Sequence, residues 1–223
     1  MPFAGIVTCK YLCIMHYIDI QTWKRKEHFE FFSSFDEPFY GVTVELDCTA
    51  VYRTAKANGY SFYLYYMHKI LTAVNQTEVM RYRITDDNRV VVYDTISVSP
   101  TIGREDGTFG YSRFDYHVDF EQFVAEATKE TERIRALDGL GYLCPDRDVI
   151  HFSALPWLKF TSVSHARSFK FLDSMPKISV GKVTTGADGK MLMPVSIHVH
   201  HGLVDGYHLG LFVQKLEDVF SVN

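Results

Sequence analysis

The residues best placed to do chemistry are His201 and Asp205, in the run His200-His201-Gly202-Leu203-Val204-Asp205-Gly206 near the C-terminus. An imidazole takes up a proton near neutral pH, and a carboxylate four residues on can order the loop that carries it. Alternation from Met191 to His201 reads as a strand. It sets Met191, Met193, Val195, Ile197, Val199 and His201 on an apolar face, and Ser196, His198 and His200 on the other. Burial disfavours imidazolium, so His201 on the apolar side is expected to stay neutral and able to accept a proton. Downstream, Leu209, Phe212, Val213, Leu216, Val219 and Phe220 fall at helical spacing. Asp205 then occupies the turn before a helix, where a carboxylate caps the helix, orders the loop or binds a cation from elsewhere. A plainer alternative makes Asp205 only a cap and His201 a satisfied core histidine; these two residues alone leave both readings open.

The elements that must position this run read as a mixed α/β pattern. Asp19 to Phe32 is expected as helix, and Phe39 to Asp47 as strand by alternation of Tyr40, Val42, Val44 and Leu46 with Thr43 and Glu45. Helices follow at Cys48 to Asn58 and Ser61 to Asn75. A hairpin joins Met80–Ile84 to Arg89–Tyr93 across Asp86-Asp87-Asn88. Strands are expected at Ser97 to Ile102 and Thr108 to Tyr116, then a helix from Phe120 to Ala136 behind Asp119. The segments Asp148 to Ser153, Lys159 to Ser164, Lys177 to Thr184 and Met191 to His201 read as later strands. This alternation implies a mixed β-sheet covered by helices, a two-layer α/β (α+β) sandwich.

Composition narrows the classes. With 47% hydrophobic and 15% aromatic residues in 223, the chain can build one sizeable core, and no linker, repeat or charge block divides it. A net charge of −4 argues against a nucleic-acid partner, which calls for a basic face. Cys9, Cys13, Cys48 and Cys144 show no CxxC spacing, so free thiols in a reducing cytoplasm are expected. No apolar run reaches the length of a membrane span, and residues 1–14 lack the basic start and long apolar core of a signal peptide. Of the three nearby histidines only His198 and His200 share a strand face, and no third ligand motif accompanies them, so no metal is expected. Gly139-Leu140-Gly141 lacks a dinucleotide fingerprint, and neither a phosphate loop nor a GxSxG elbow occurs.

The run His200 to Gly206 fits HHxxxDG, the signature of CoA-dependent acyltransferases, shared by chloramphenicol acetyltransferases, dihydrolipoamide acyltransferase cores and condensation domains. Two more segments, Trp23-Lys24-Arg25-Lys26-Glu27-His28-Phe29-Glu30-Phe31-Phe32 and Phe152-Ser153-Ala154-Leu155-Pro156-Trp157, resemble the chloramphenicol acetyltransferase family specifically. Order and separation match from about Met15 onward, which marks residues 1–14 as an N-terminal extension and 15–223 as one domain. The resemblance implies direct acetyl transfer from acetyl-CoA, as co-substrate, to a hydroxyl of chloramphenicol or a related compound, with His201 as general base. It implies that Ser153 donates to the oxyanion, although serine before a Pro-Trp turn also bonds local backbone. It pairs Arg25 with Asp205 as a buried bidentate ion pair, and gives Ser179 the place of a threonine that helps hold a water. Phe32, Ile102 and Val163 fall at acceptor-pocket positions. Ile102, Val163 and His165 replace two aromatic residues and an aliphatic one, so the pocket departs from the aromatic pattern. The family's homotrimer, with the histidine of one subunit facing the acceptor pocket of the next, is implied in the same way. Other readings are a different hydroxyl or amine acceptor, a ligand-binding homologue without turnover, and a dihydrolipoamide acyltransferase core with its large assemblies.

Overall fold

The computed structural model describes residues 14–141, 146–168 and 172–221. The expected extension, apart from Ile14, and Cys9, Cys13 and Cys144 lie outside the described residues. In chain order the elements are β1 (Met15–Tyr17), α1 (Lys26–Ser33), β2 (Phe39–Asp47), α2 (Thr49–Ala57), α3 (Phe62–Asn75), β3 (Tyr82–Ile84), β4 (Val90–Tyr93), β5 (Ser97–Gly103), β6 (Phe109–Tyr111), α4 (Phe120–Ala136), β7 (Val149–Leu155), β8 (Lys177–Gly181), β9 (Thr184–Thr185), β10 (Met191–His200) and α5 (Gly206–Ser221). A mixed α/β architecture is therefore observed, as the alternation implied.

The main sheet has the order β2-β10-β8-β7-β5-β6, with β9 on the flank of β10. β7 runs parallel to β5 and β8, and the other pairings are antiparallel. Residues paired across strands share a face, so register sorts the side chains. One set of rows, Phe152-Ile178-Ile197 and Ala154-Val180-Val195, joins the hydrophobic core beneath the helices. The opposite face carries two polar rows: Ser153-Ser179-Ser196-Thr43, and His151-Lys177-His198-Gly41. Gly41 is required there, because a Cβ at that position would lie 2.4 Å from Cδ2 of the His198 ring.

A three-stranded sheet, β1-β4-β3, is tied to the main one by Arg83, which is fully buried and donates to the carbonyls of Met80, Tyr82, Arg147 and Val149. Its hairpin turn is closed by Thr85, with Asn88 at a φ of 56°. Ser61 and Asp119 cap α3 and α4 through their side chains.

Four expectations are corrected. Asp19 to Trp23 is not helical: Asp19 accepts from the Gln21 N–H and the Thr22 hydroxyl, a local bond that competes with the helix ladder, and α1 starts only at Lys26. Lys159 to Ser164 is loop, not strand; the segment crosses the polar face of the sheet, where the Lys182 N–H donates to the Leu158 carbonyl at 2.8 Å. The strand expected from Thr108 to Tyr116 is limited to β6, plus an isolated bridge from Phe114 to Val98. Lys177 to Thr184 splits into β8 and the short β9.

Candidate active site

β10 ends at His200, so His201 is not the last residue of the apolar face but the first of the turn, and it is half-buried. Its N–H donates to the Pro38 carbonyl at 2.8 Å, which ties the turn to the start of β2. The imidazole lies flat on Phe32 of α1, with ring centroids 3.8 Å apart and planes 5° from parallel. Tyr40 of β2 leans on it at 4.3 Å and 34°. Two elements therefore hold the ring, and Nδ1 is buried without a hydrogen-bond partner.

The preceding histidine does different work. His200 is buried, and its Nδ1 accepts from the Gly202 N–H at 3.2 Å. Burial, with the charge of Arg167 adding, pushes this imidazole down to about 4, which keeps it the neutral acceptor the bond needs.

Asp205 fills all three roles the sequence left open. It caps α5, accepting from the His208 N–H at 3.2 Å on Oδ1. The same oxygen meets His208 Nδ1 at 2.7 Å, while Oδ2 accepts from Arg25 Nη1. Burial alone would raise the carboxyl, but hydrogen bonds from Arg25 and His208 hold it at about 2. Arg25 is not bidentate toward Asp205 as expected. Its second amino group, Nη2, reaches the His201 carbonyl at 3.4 Å, so one guanidinium grips both ends of the turn. That contact orients the backbone carrying the imidazole.

The expected serines are elsewhere. Ser153 and Ser179 pair on the polar face, and Ser179 in turn pairs with Ser196. Ser153 is two strands over from β10 and its row is five residues before His201, which by strand geometry separates the two Cα atoms by roughly 19 Å. His201 moreover lies against Tyr40, whose pairing with Val199 places it on the core side of the sheet. One chain thus brings together Arg25, Phe32, His201 and Asp205, and does not bring Ser153 and Ser179 to them. Ser179 is 1% exposed and its Oγ has no partner. Val163 is half-buried in the loop over the polar face. Ile102 is 4% exposed within the hydrophobic core. His165, on the same loop as Val163, meets His198 edge-on at 4.8 Å. Among the described residues no group of three or more His, Cys, Asp or Glu is arranged to hold a metal.

This geometry, a histidine on a pinned turn after a central strand, coincides with a match of residues 14–217 to the family described as chloramphenicol acetyltransferase. The chain belongs to the chloramphenicol acetyltransferase family. As a member it is an enzyme, an acyltransferase. It is 33% identical over 205 residues to a chloramphenicol acetyltransferase of Proteus mirabilis, covering 90% of this chain and 92% of that one. Chloramphenicol acetyltransferase 3 of Escherichia coli is 30% identical, with 90% and 94% covered. A solved chloramphenicol acetyltransferase superposes with a TM-score of 0.84 at 38% identity, over 93% of this chain and all of that one. A probable dihydrolipoamide acetyltransferase from Listeria monocytogenes superposes with a TM-score of 0.62 at 13% identity, over 87% and 88%, and shares the fold alone.

Sequence reading missed two residues that touch the His201–Asp205 pair in the chloramphenicol acetyltransferase-family chain, Tyr40 against His201 and His208 against Asp205. Tyr40 was visible only as an apolar position of a strand, since nothing in spacing marks a ring that turns toward a histidine 161 positions on. His208 sits three residues after Asp205, the N3 position of the helix, and that spacing was the available signal.

Proposed function

We propose that the protein is an acetyl-CoA-dependent O-acetyltransferase that acetylates a hydroxyl of chloramphenicol, by direct transfer within a ternary complex. The observation that carries this reading is the pinned turn: Arg25 and Asp205 fix the backbone on which His201 is held between two rings. His201 takes the acceptor's hydroxyl proton, and the alkoxide oxygen bonds to the thioester carbonyl carbon. Ser153 donates to the oxyanion. The C–S bond then breaks and the proton passes from His201 to the departing CoA sulfur. No acyl-enzyme forms. General-base catalysis of this kind contributes about 10²–10⁴-fold.

The separation of His201 from Ser153 supports a site assembled from two copies, and we assign the chain a homotrimer in which His201 of one subunit meets Ser153 of the next. Residues 15–223 form one catalytic domain in this reading; Phe32 of the subunit that gives His201, with Ser179 and Val163 of the next, stands around the acceptor, and Ile102, buried in the core, backs the site without lining it. Among the described residues no helix is long and apolar enough to cross a membrane, and the supply of acetyl-CoA favours the cytoplasm.

A second reading, a different hydroxyl or amine acceptor, is favoured by the polar face beside Ser153, where His151, Lys177, His198 and His165 stand in place of an aromatic wall. The test is CoA release from acetyl-CoA, followed with a thiol reagent, with and without chloramphenicol and with His201→Ala as control. Chloramphenicol-dependent release that disappears in the variant is expected. Release with other hydroxyl or amine compounds and none with chloramphenicol would replace the acceptor; none with any acceptor would overturn the proposal.

A further inference from the structure

The polar face beside Ser153 offers more hydrogen bonds than the chain itself uses. His198 stands on this face one row from Ser196, and its ring lies across β2 at the place where Gly41 leaves room for it. The loop over the face brings the His165 ring edge-on to His198, with centroids 4.8 Å apart. His198 shares a hydrogen bond through Nδ1 with the Ser196 hydroxyl at 3.3 Å, whereas Nε2 of His165 is buried and has no partner within the chain. An unpaired buried nitrogen is a cost that a bound ligand group removes.

The charged groups of the same face are already matched. Lys177, buried, donates from Nζ to Asp173 Oδ2 at 2.7 Å and to the Met175 carbonyl at 3.3 Å, and Arg167 pairs with Glu37 and, at 3.5 Å, with Asp173. Two cations thus face two carboxylates, and a ligand that brought its own charge would give up its water only to compete with these pairs. Both imidazoles are neutral near pH 7. Burial, with the charges of His198 and Lys177 adding, pushes His165 down to about 4; burial, with Lys177 and Arg167, also lowers His198. A neutral imidazole has one donor and one acceptor, as a hydroxyl does. By strand geometry His198 is two strands across and two residues along from Ser153, roughly 12 Å between Cα atoms. Side chains projecting from the same face narrow that gap to the span of a sugar ring.

We propose that His165 and His198 are acceptor-binding residues that read hydroxyl groups, and that the acceptor is an uncharged polyhydroxy compound of the sugar or cyclitol class. One of its hydroxyls is acetylated at Ser153 while neighbouring hydroxyls bond to the two imidazoles. The inference rests on the second acceptor reading above, transfer to a hydroxyl compound other than chloramphenicol. The step is balanced as before: the oxygen gains the acetyl group, and its proton leaves on the CoA sulfur. A site built to bond hydroxyls rejects compounds that lack them, because its polar groups are then left unpaired.

The probes are methyl glucoside and myo-inositol, both neutral, with methyl glucosaminide and methyl glucuronide, which put a positive and a negative charge on the same ring. The first readout is binding to the full-length protein with CoA present, by NMR titration of the imidazole ¹⁵N signals of His165 and His198, each assigned by its loss in His165→Leu or His198→Gln. A neutral probe is expected to shift both signals and to bind about tenfold more tightly than the charged ones, and each substitution to raise its Kd about tenfold. The second readout is CoA release from acetyl-CoA with the same probes and with chloramphenicol. Release is expected with the neutral probe, and the substitutions should raise its KM more than they lower kcat without raising KM for chloramphenicol. Melting confirms that both variants fold. Neutral probes that do not bind, that bind no better than the charged ones, or whose Kd stays within twofold in both variants would overturn the inference. Binding through the imidazoles without CoA release would overturn instead the transfer reading on which the inference rests, so the two failures are told apart.

Discussion

Around His201 the backbone is a turn, and side chains hold it: Arg25 reaches both the Asp205 carboxylate and the His201 carbonyl, Asp205 caps the helix, and Phe32 and Tyr40 face the ring. Around Ser153 the backbone is the middle of a sheet, and the ladder holds it, with β5 and β8 paired on either side. The first region is fixed by a few replaceable contacts, the second by hydrogen bonds that no side-chain substitution removes. Sensitivity to mutation should follow that difference. The proposed base can be misplaced from a distance, whereas the proposed oxyanion donor can only be deleted.

Deleting either group gives the largest effects. His201→Ala should fold like wild type and lose about 10²–10⁴-fold or more in kcat. Ser153→Ala should lose about 10²–10³-fold in kcat with KM little changed, as expected for a donor used in the transition state. Near wild-type turnover in either variant would remove that residue from the mechanism. The two dead variants also test whether the regions act across subunits. Co-expressed in equal amounts and assembled at random, a quarter of all interfaces in the trimer population pair an intact His201 with an intact Ser153, so about a quarter of wild-type activity should return. Activity that stays at the level of the separate variants would place both residues in one chain's site.

Next come the supports, where the contrast itself is at stake. Arg25→Ala releases the turn and should cut kcat about 10- to 100-fold, since a misplacement of about 1 Å costs that much, and lower the melting temperature by several degrees. Thr43→Val, in the row of Ser153, should leave kcat within about twofold, because the ladder still sets the strand. Equal losses in the two would dissolve the distinction between the regions.

The smallest effect is in pH. His200 and His165 are both pushed down to about 4 when folded, chiefly by burial, against an ordinary 6.5. The unfolded chain therefore binds more protons than the folded one between these values, so stability present above pH 6.5 is lost as pH falls toward 4. Melting temperature should decline through that window. Replacing His165 with glutamine should flatten the decline, and an unchanged slope would show that its imidazole is not the source.

The elements that were legible in sequence are those with one strong local cause. Alternation marked β2 and β10 to within a residue, and Asp119 marked the start of α4. Asp19 misled because its side chain rewards a turn that apolar spacing does not register, and Lys159 to Ser164 misled because a segment crossing a sheet face alternates like a strand without a ladder to join. In the site, the motif placed His201 and Asp205, and the resemblance supplied Arg25. The single rather than bidentate bond of Arg25 was out of reach, because it depends on where the His201 carbonyl points after β10 ends. Tyr40 was out of reach for the same reason: its contact with His201 is decided by a register between strands far apart in the chain.

Asp205 combines two duties in one carboxylate, capping α5 and receiving Arg25. A random library of this chain, selected only for soluble expression and never for acyl transfer, should therefore return aspartate at 205 far more often than histidine at 201. Half of the active-site signature would persist in lineages that had abandoned the reaction. A surviving Asp205 is then poor evidence of turnover, and His201 is the residue whose drift records its loss.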